Sequence, residues 1–249
     1  MLRHKLALSA AIGLVFAALA LAPPVAFACG WWGDGEDEGE DDVILVVPDS
    51  ASSTASEPTD PEEMARLSSA YRLGDGVPRD PALAREWAQK AAEAGHAGAM
   101  NDLALMLETA FGGPKDEAGA ASWYARAAAH GVADAQHSLA RMLRDGRGVP
   151  RDPVAAEKWL RRSAGQGHAA AAADLAEWIW AGSVTARSPE EGCFWWLVAL
   201  DQGYEGTAER CRRARPGLSD KTFRAVRARA AAWVPGGEDG ISILRGGES

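Results

Sequence analysis

Tyr71-Arg72-Leu73-Gly74-Asp75-Gly76-Val77-Pro78-Arg79-Asp80, followed by Ala84, Trp87 and Ala91-Ala92, is the stretch that decides the fold. Its landmarks return at a fixed period. Gly95, Gly131, Gly167 and Gly203 stand 36 residues apart, as do Trp87, Trp123, Trp159 and Trp195. Leu67, Leu103, Leu139 and Leu175 keep the same spacing, and Cys211 takes the next place in that row. Several independent registers sharing one period predict four stacked copies of one structural unit.

Each recurring position has a physical reading. Asp80-Pro81, Asp152-Pro153 and Ser188-Pro189 pair an N-cap acceptor with proline at the first helical position, and Asp116-Glu117 caps without proline. Ala84, Trp87, Ala88 and Ala91 then share one helical face. The glycine about fifteen residues past the cap suits a left-handed helix end. The partner helix of unit one carries Leu67, Ala70, Tyr71 and Gly74 as a stripe, starting at Asp60-Pro61 with Glu63 in the capping-box position. Each unit therefore reads as helix A, a Gly-rich turn, helix B and a glycine exit.

These residues resemble a Sel-1-like repeat, a relative of the tetratricopeptide repeats. Unit three repeats the pattern with Gly146-Arg147-Gly148-Val149-Pro150-Arg151-Asp152, Trp159 and Ala164. Unit two departs in its turn, Ala110-Phe111-Gly112-Gly113-Pro114-Lys115-Asp116, and unit four departs more, Gly182-Ser183-Val184-Thr185-Ala186-Arg187-Ser188. The resemblance spans residues 60–215. It implies an all-α, right-handed αα-solenoid of four 36-residue helix–turn–helix repeats that binds other proteins and assembles complexes. Exported bacterial members are regulators of exopolysaccharide synthesis, polysaccharide-secretion scaffolds and cysteine-rich antigens. The resemblance supplies no catalytic motif.

The repeat pattern ends at Pro216-Gly217. Phe223, Val226, Ala230 and Trp233 form an apolar stripe from Ser219 onward, and Leu218 is placed to staple to Phe223. A solenoid needs an atypical end helix over its last apolar face, so residues 216–234 are expected to be a cap and 235–249 a flexible tail.

At the other end, Arg3 and Lys5 precede the uncharged apolar run 6–22, and Ala26-Phe27-Ala28 fits a small-x-small cleavage site. Residues 1–28 are expected to be a secretory signal, with a retained anchor as the alternative. Cleavage after Ala28 leaves Cys29 first, a position for lipidation, although Ala26 stands where lipoprotein signals usually carry Leu or Val. Residues 29–59 form an acidic, Ser/Thr/Pro-rich segment expected to be disordered. Cys29 to Glu63 holds twelve acids and no Lys or Arg, seven of the acids within Asp34 to Asp42. From Met64 onward 24 bases face 23 acids, so the net charge of −9 belongs to the tail. The acidic run matches the early spacing of a calcium loop, but Leu45 stands where a bidentate Glu is needed. Only Val43 to Val47 looks able to dock.

Composition excludes further classes. The chain of 249 residues is 47% hydrophobic, with ten Trp and many Ala, which favours helices. Its negative charge argues against generic nucleic-acid binding. Three cysteines are too few for a disulfide mini-fold and too scattered for zinc. No HExxH, GxSxG or Ser-x-x-Lys is present. His96 and His168 follow the exit glycine in a repeat position also filled by Val132 and Tyr204, which speaks for structure over catalysis. No catalytic residue, metal or cofactor is expected.

The expected function is that of a non-enzymatic scaffold or regulator, periplasmic or secreted, that binds a protein on its repeat surface. The signal segment or a lipid anchor at Cys29 would be its only link to the membrane. The alternative is a polysaccharide-binding or polysaccharide-processing factor with an aromatic-lined groove. Trp180 takes the position of Arg72, Glu108 and Arg144 and should reach water, so it leads the candidate contacts, with Phe111, Arg212 and Arg213. Trp178 shares the position of Ala70, Met106 and Met142 and should be core; Trp196, aligned with Ala88, Tyr124 and Leu160, should be at least half buried. Cys193 and Cys211 lie on either side of a chain reversal, which makes them a candidate disulfide in an oxidising compartment. A buried thiol at Cys211 is the alternative.

Overall fold

The computed structural model describes residues 57–184 and 188–236. The expected signal segment 1–28, the lipidation candidate Cys29, the acidic run and Val43 to Val47 lie outside the described residues. Eight helices of 13 residues come first: α1 (Pro61–Leu73), α2 (Pro81–Glu93), α3 (Ala97–Thr109), α4 (Glu117–Ala129), α5 (Ala133–Asp145), α6 (Pro153–Gly165), α7 (Ala169–Ala181) and α8 (Pro189–Asp201). A shorter α9 (Thr207–Ala214) and a 3-10 turn (Arg215–Gly217) lead to α10 (Asp220–Ala232). No strand occurs among the described residues. Helices pack in sequence order, each repeat as a pair, and α8 also carries α9 and α10.

Caps and turns set these boundaries. The side chains of Asp60, Asp80, Asp116, Asp152 and Ser188 accept from backbone N–H groups in the first turn of α1, α2, α4, α6 and α8. The first helix of each repeat ends in the left-handed region, at Gly74, Ala110, Gly146 and Gly182. A backbone bond then fixes each turn across nine residues: Asp80 N–H to Tyr71 C=O, Asp116 to Leu107 and Asp152 to Leu143, at 2.9–3.0 Å.

The core follows the repeat. Leu67, Leu103, Leu139 and Leu175 are buried, and Ala84, Ala88 and Ala91 give α2 a close-approach face. Two apolar clusters result, one centred on α2 to α5 and one on α6 to α10.

The four repeat tryptophans share one register but not one environment. Trp195 is 1% exposed. Trp87, Trp123 and Trp159 are half-buried, each with the cation one turn on over its ring: Lys90 at 4.3 Å, Arg126 at 4.5 Å and Arg162 at 4.6 Å. In repeat four the equivalent of those cations is Val198, and Trp233 packs edge-on against Trp195 at 6.1 Å. A basic side chain shields the ring where another repeat follows; the end helix and Trp233 shield it where none does.

The cap helix begins at Ser219, whose hydroxyl accepts from Thr222 N–H at 3.1 Å, so the expected element over 216–234 is a 3-10 turn and then a helix. Pro235 and Gly236 are not loose: Gly236 N–H donates to the Gly165 carbonyl at 2.9 Å and ties the chain to the end of α6. Residues 237–249 lie outside the described residues. Glu57, inside the expected tail, pairs with Lys90 at 3.2 Å.

Candidate functional site

Repeat four and α9 gather the aromatic and basic candidates. Helix α7 presents Glu177 and Trp180 one turn apart, α8 presents Trp196, and α9 presents Arg210 and Arg213. Together they line a recess of about 280 Å³. The Trp180 and Trp196 rings lie 5.7 Å apart at 50°. Trp196 is buried and Trp180 half-buried against the C-terminal core. Gly192 on α8 faces α7 beside this pair, where an added methyl would lie in ordinary contact, 3.4 Å from the Ala176 carbonyl oxygen and 3.6 Å from Trp180 Cβ.

The arginines are held by carboxylates. Arg210 pairs with Glu177, while Arg212 and Arg213 both pair with Glu209, the latter at 3.5 Å. Arg213 reaches the recess; Arg212 is exposed beside it and does not line it. Among the described residues Trp180 is flanked by Trp196 and the α9 arginines, the short α9 taking the position of a fifth helix A; Val43 to Val47, the segment read as able to dock, lies outside them.

Phe111 belongs elsewhere. It is half-buried against the N-terminal core, with Arg79 over its ring at 5.8 Å. Trp178, expected in the core, is half-buried. Cys193 and Cys211 form a disulfide with Cα atoms 4.8 Å apart, linking α8 to α9. This bond fixes the helix that carries Arg210 and Arg213.

Histidines serve as caps, a role the sequence reading missed. His96 Nδ1 accepts from Ala99 N–H at 2.9 Å and its Nε2 meets Glu62; His168 Nδ1 accepts from Ala171 N–H at 3.0 Å and its Nε2 meets Asp134. His137 pairs with Asp174 at 2.9 Å and its ring lies 4.8 Å from that of His168. Burial and the neighbouring His137 push the His168 pKa down against the pull of Asp134. Burial works to raise the Asp174 pKa, but the hydrogen bond and charge of His137 hold it low. The available signal was position: both histidines stand immediately before a helix A.

A second missed group joins repeats three and four. Arg161 bridges Glu157 at 2.8 Å and Glu191 at 2.6 Å, with Glu157 nearly buried. Burial opposes the charge on Arg161, and the two carboxylates outweigh it, so its pKa rises. No group of three or more His, Cys, Asp or Glu able to hold a metal occurs among the described residues.

Comparison with family models matches the Sel1 repeat four times, at residues 64–96, 97–132, 133–168 and 169–204, together more than half of the chain. The chain belongs to the Sel1 repeat family. Two solved structures are similar to this Sel1 repeat protein. One is a protective antigen of uropathogenic Escherichia coli with an SLR fold, 26% identical, with a TM-score of 0.61 over 75% of this chain; the match spans 41% of the antigen's length. The other is a Sel1 repeat protein from Oxalobacter formigenes, 23% identical, with a TM-score of 0.61 over 76% of both chains. Comparison with curated proteins gives no match. The matched repeats pair α1 with α2, α3 with α4, α5 with α6 and α7 with α8, and leave α9 and α10 as additions to the array.

Proposed function

We propose that this Sel1 repeat protein is a non-catalytic scaffold or regulator of the bacterial cell envelope that binds a partner protein on its repeat surface. The observation carrying this reading is the recess of Trp180, Trp196, Arg210 and Arg213, built where the array leaves its consensus. Tryptophan and arginine are enriched in interface hot spots, where truncation of one side chain weakens binding most. The Cys193–Cys211 disulfide and the secretory signal read at residues 1–28 support an oxidising compartment, with lipid attachment at Cys29 as a variant of the same reading. No described helix is long and apolar enough to cross a membrane.

The test is affinity capture from an envelope fraction with the chain from Cys29 onward, in parallel with Trp180→Ala. Trp180 is half-buried, so the variant should lose about 1–2 kcal/mol of stability, less than a fully buried Trp, and still fold. Binding should weaken by about 2 kcal/mol or more. A folded variant that retains the same proteins at wild-type strength would refute the site.

The tilted indole pair at 5.7 Å also favours a second reading, stacking on sugar rings. Retention on an envelope polysaccharide column, lost in Trp180→Ala, with no protein captured, would select it.

A further inference from the structure

Successive repeats close against one another at their interhelical turns, and the closure uses two adjacent positions. In repeat two these are Phe111 and Gly112; in repeat three, Arg147 and Gly148. Gly112 and Gly148 take positive φ, 71° and 67°. A methyl added to Gly112 would overlap the carbonyl oxygen of Pro81, and one added to Gly148 that of Glu117. Each turn thus lies directly on the first residue of the preceding helix B. The neighbouring side chain fills the remaining gap. Phe111 sits beneath Arg79, and Arg147 pairs with Glu108 at 2.8 Å.

Repeat four replaces both. Ser183 stands in the position of Phe111 and Arg147, and Val184 in that of Gly112 and Gly148. Ala110 is the single non-glycine with positive φ among the described residues, so Val184 does not take the backbone of the closed turns. Pro153, the counterpart of Pro81 and Glu117, is left facing a cleft of about 460 Å³. Arg144, Asp145 and Arg151 of repeat three and Trp178 and Ser183 of repeat four complete its lining. Trp178 is half-buried, whereas Met106 and Met142 in its position are 3% and 0% exposed. The cleft accounts for the accessible side of that indole.

The first joint shows what such a gap holds. Arg79 Nε donates to the Arg72 carbonyl at 3.2 Å, and the guanidinium covers Phe111. Arg151 Nε donates to the Arg144 carbonyl at 3.0 Å, the same bond 72 residues on. Its guanidinium is therefore set as Arg79 is, but the ring beneath it is missing. Arg144 is engaged by Asp145, whereas no carboxylate pairs with Arg151 among the described residues.

We propose that the cleft between repeats three and four binds an aromatic side chain of a partner peptide, seated under Arg151 and against Trp178, with an acidic neighbour in the peptide pairing to Arg151. Cation–π contact and the charge-assisted bond supply the selectivity. The proposal rests on the protein-binding reading above and names a second contact point.

The probe is acetyl-Glu-Glu-Phe-Glu-Glu-amide, with Leu in place of Phe as the control, titrated into the 15N-labelled chain from Cys29 onward. The Phe peptide should shift the Ser183 amide and the Trp178 indole and bind at least fivefold tighter than the Leu peptide. Arg151→Gln should weaken it at least threefold. Ser183→Phe should supply the missing ring from within, abolish peptide binding and leave the fold intact. Equal binding of the two peptides, no binding, or unchanged binding to Ser183→Phe would overturn the site. Trp31 and Trp32 stand just before the acidic run of this chain; if the double variant Trp31→Ala and Trp32→Ala binds the peptide at least fivefold tighter, that segment fills the cleft, and the assignment to a partner is overturned. Envelope proteins still captured by a chain that ignores the peptide would sink this cleft and leave the protein-binding reading. Peptide binding with no captured protein would do the reverse.

Discussion

Replacing Ala110 by glycine should stabilise the protein. Ala110 ends α3 at φ 59°, ψ 29°, in the position that Gly74, Gly146 and Gly182 occupy at φ 80°, 70° and 67°. An L-residue in that region carries about 1–2 kcal/mol of steric strain. Glycine removes the strain but adds unfolded-state freedom, which costs about 0.4–1 kcal/mol. The Ala110 methyl is exposed, so little packing is lost. The net gain is about 0.5–1 kcal/mol, or roughly 1–4 °C in melting temperature for a domain of this size. Gly146→Ala is the converse: it installs the strain and brings a methyl to 3.3 Å from Arg151 Cβ, for a loss of about 1–2 kcal/mol. Repeat arrays can unfold in parts, so a local probe should accompany the melt. The Phe111 and Asp116 amides, bonded to Met106 and Leu107 across the turn, should exchange more slowly in Ala110→Gly. A lower melting temperature in Ala110→Gly, or an unchanged one in Gly146→Ala, would refute the reasoning.

Trp195→Ala should cost about 3–5 kcal/mol, as for a fully buried aromatic, and Trp123→Ala about 1–2, because its ring is only half-buried beneath Arg126; urea melts of the two variants compare them. Arg161→Met strands the Glu157 carboxylate and should cost about 3–5 kcal/mol, most of it recovered when Glu157→Leu is added, as read by the same melts. His168 caps α7 only while Nδ1 is unprotonated, and its folded pKa lies below the ordinary imidazole value. The unfolded chain therefore takes up the proton first, so stability present above about pH 6.5 is lost as pH falls through the folded pKa. His168→Asn keeps an acceptor at the cap, and its folding free energy should fall less between pH 8 and pH 5 than that of the wild type.

Much of the fold was legible because each landmark had a local cause. Asp80-Pro81 and Ser188-Pro189 set helix starts through bonds within one turn, and the exit glycines marked left-handed ends, with no tertiary information needed. Burial of the tryptophans was harder, because it depends on what lies beyond the helix. A signal existed even so: Lys90, Arg126 and Arg162 stand three residues after their tryptophans, and Val198 breaks the series. The histidine caps escaped because Val132 opens α5 with no side-chain bond, so the position carries no fixed residue type. Trp178 was placed in the core by analogy with Ala70, Met106 and Met142. That analogy held only while the next turn closed over the position, and Val184 prevents the closure.

The sites proposed here share one origin. A repeat array satisfies itself at every internal joint, so an identical repeat offers a partner little beyond its solvated faces. Binding capacity arises where a substitution leaves a geometric requirement unmet. Ser183 and Val184 leave a joint without its filler and its close contact, and the guanidinium of Arg151 stays in place because its anchor is a backbone carbonyl that no substitution removes. At the end of the array, the short α9 stands in the position of a fifth helix A, and the disulfide to Cys193 holds it in place. Its arginines then stand beside Trp180 and Trp196. Both openings border repeat four. That placement follows from stacking mechanics: the joint between repeats two and three has a further repeat on each side, so loosening it weakens the array on two flanks. Repeat four is braced independently, by Trp233 against Trp195, by the disulfide, and by Gly236 bonded to Gly165. The extra C-terminal elements supply the stability that lets the last repeat depart from the pattern.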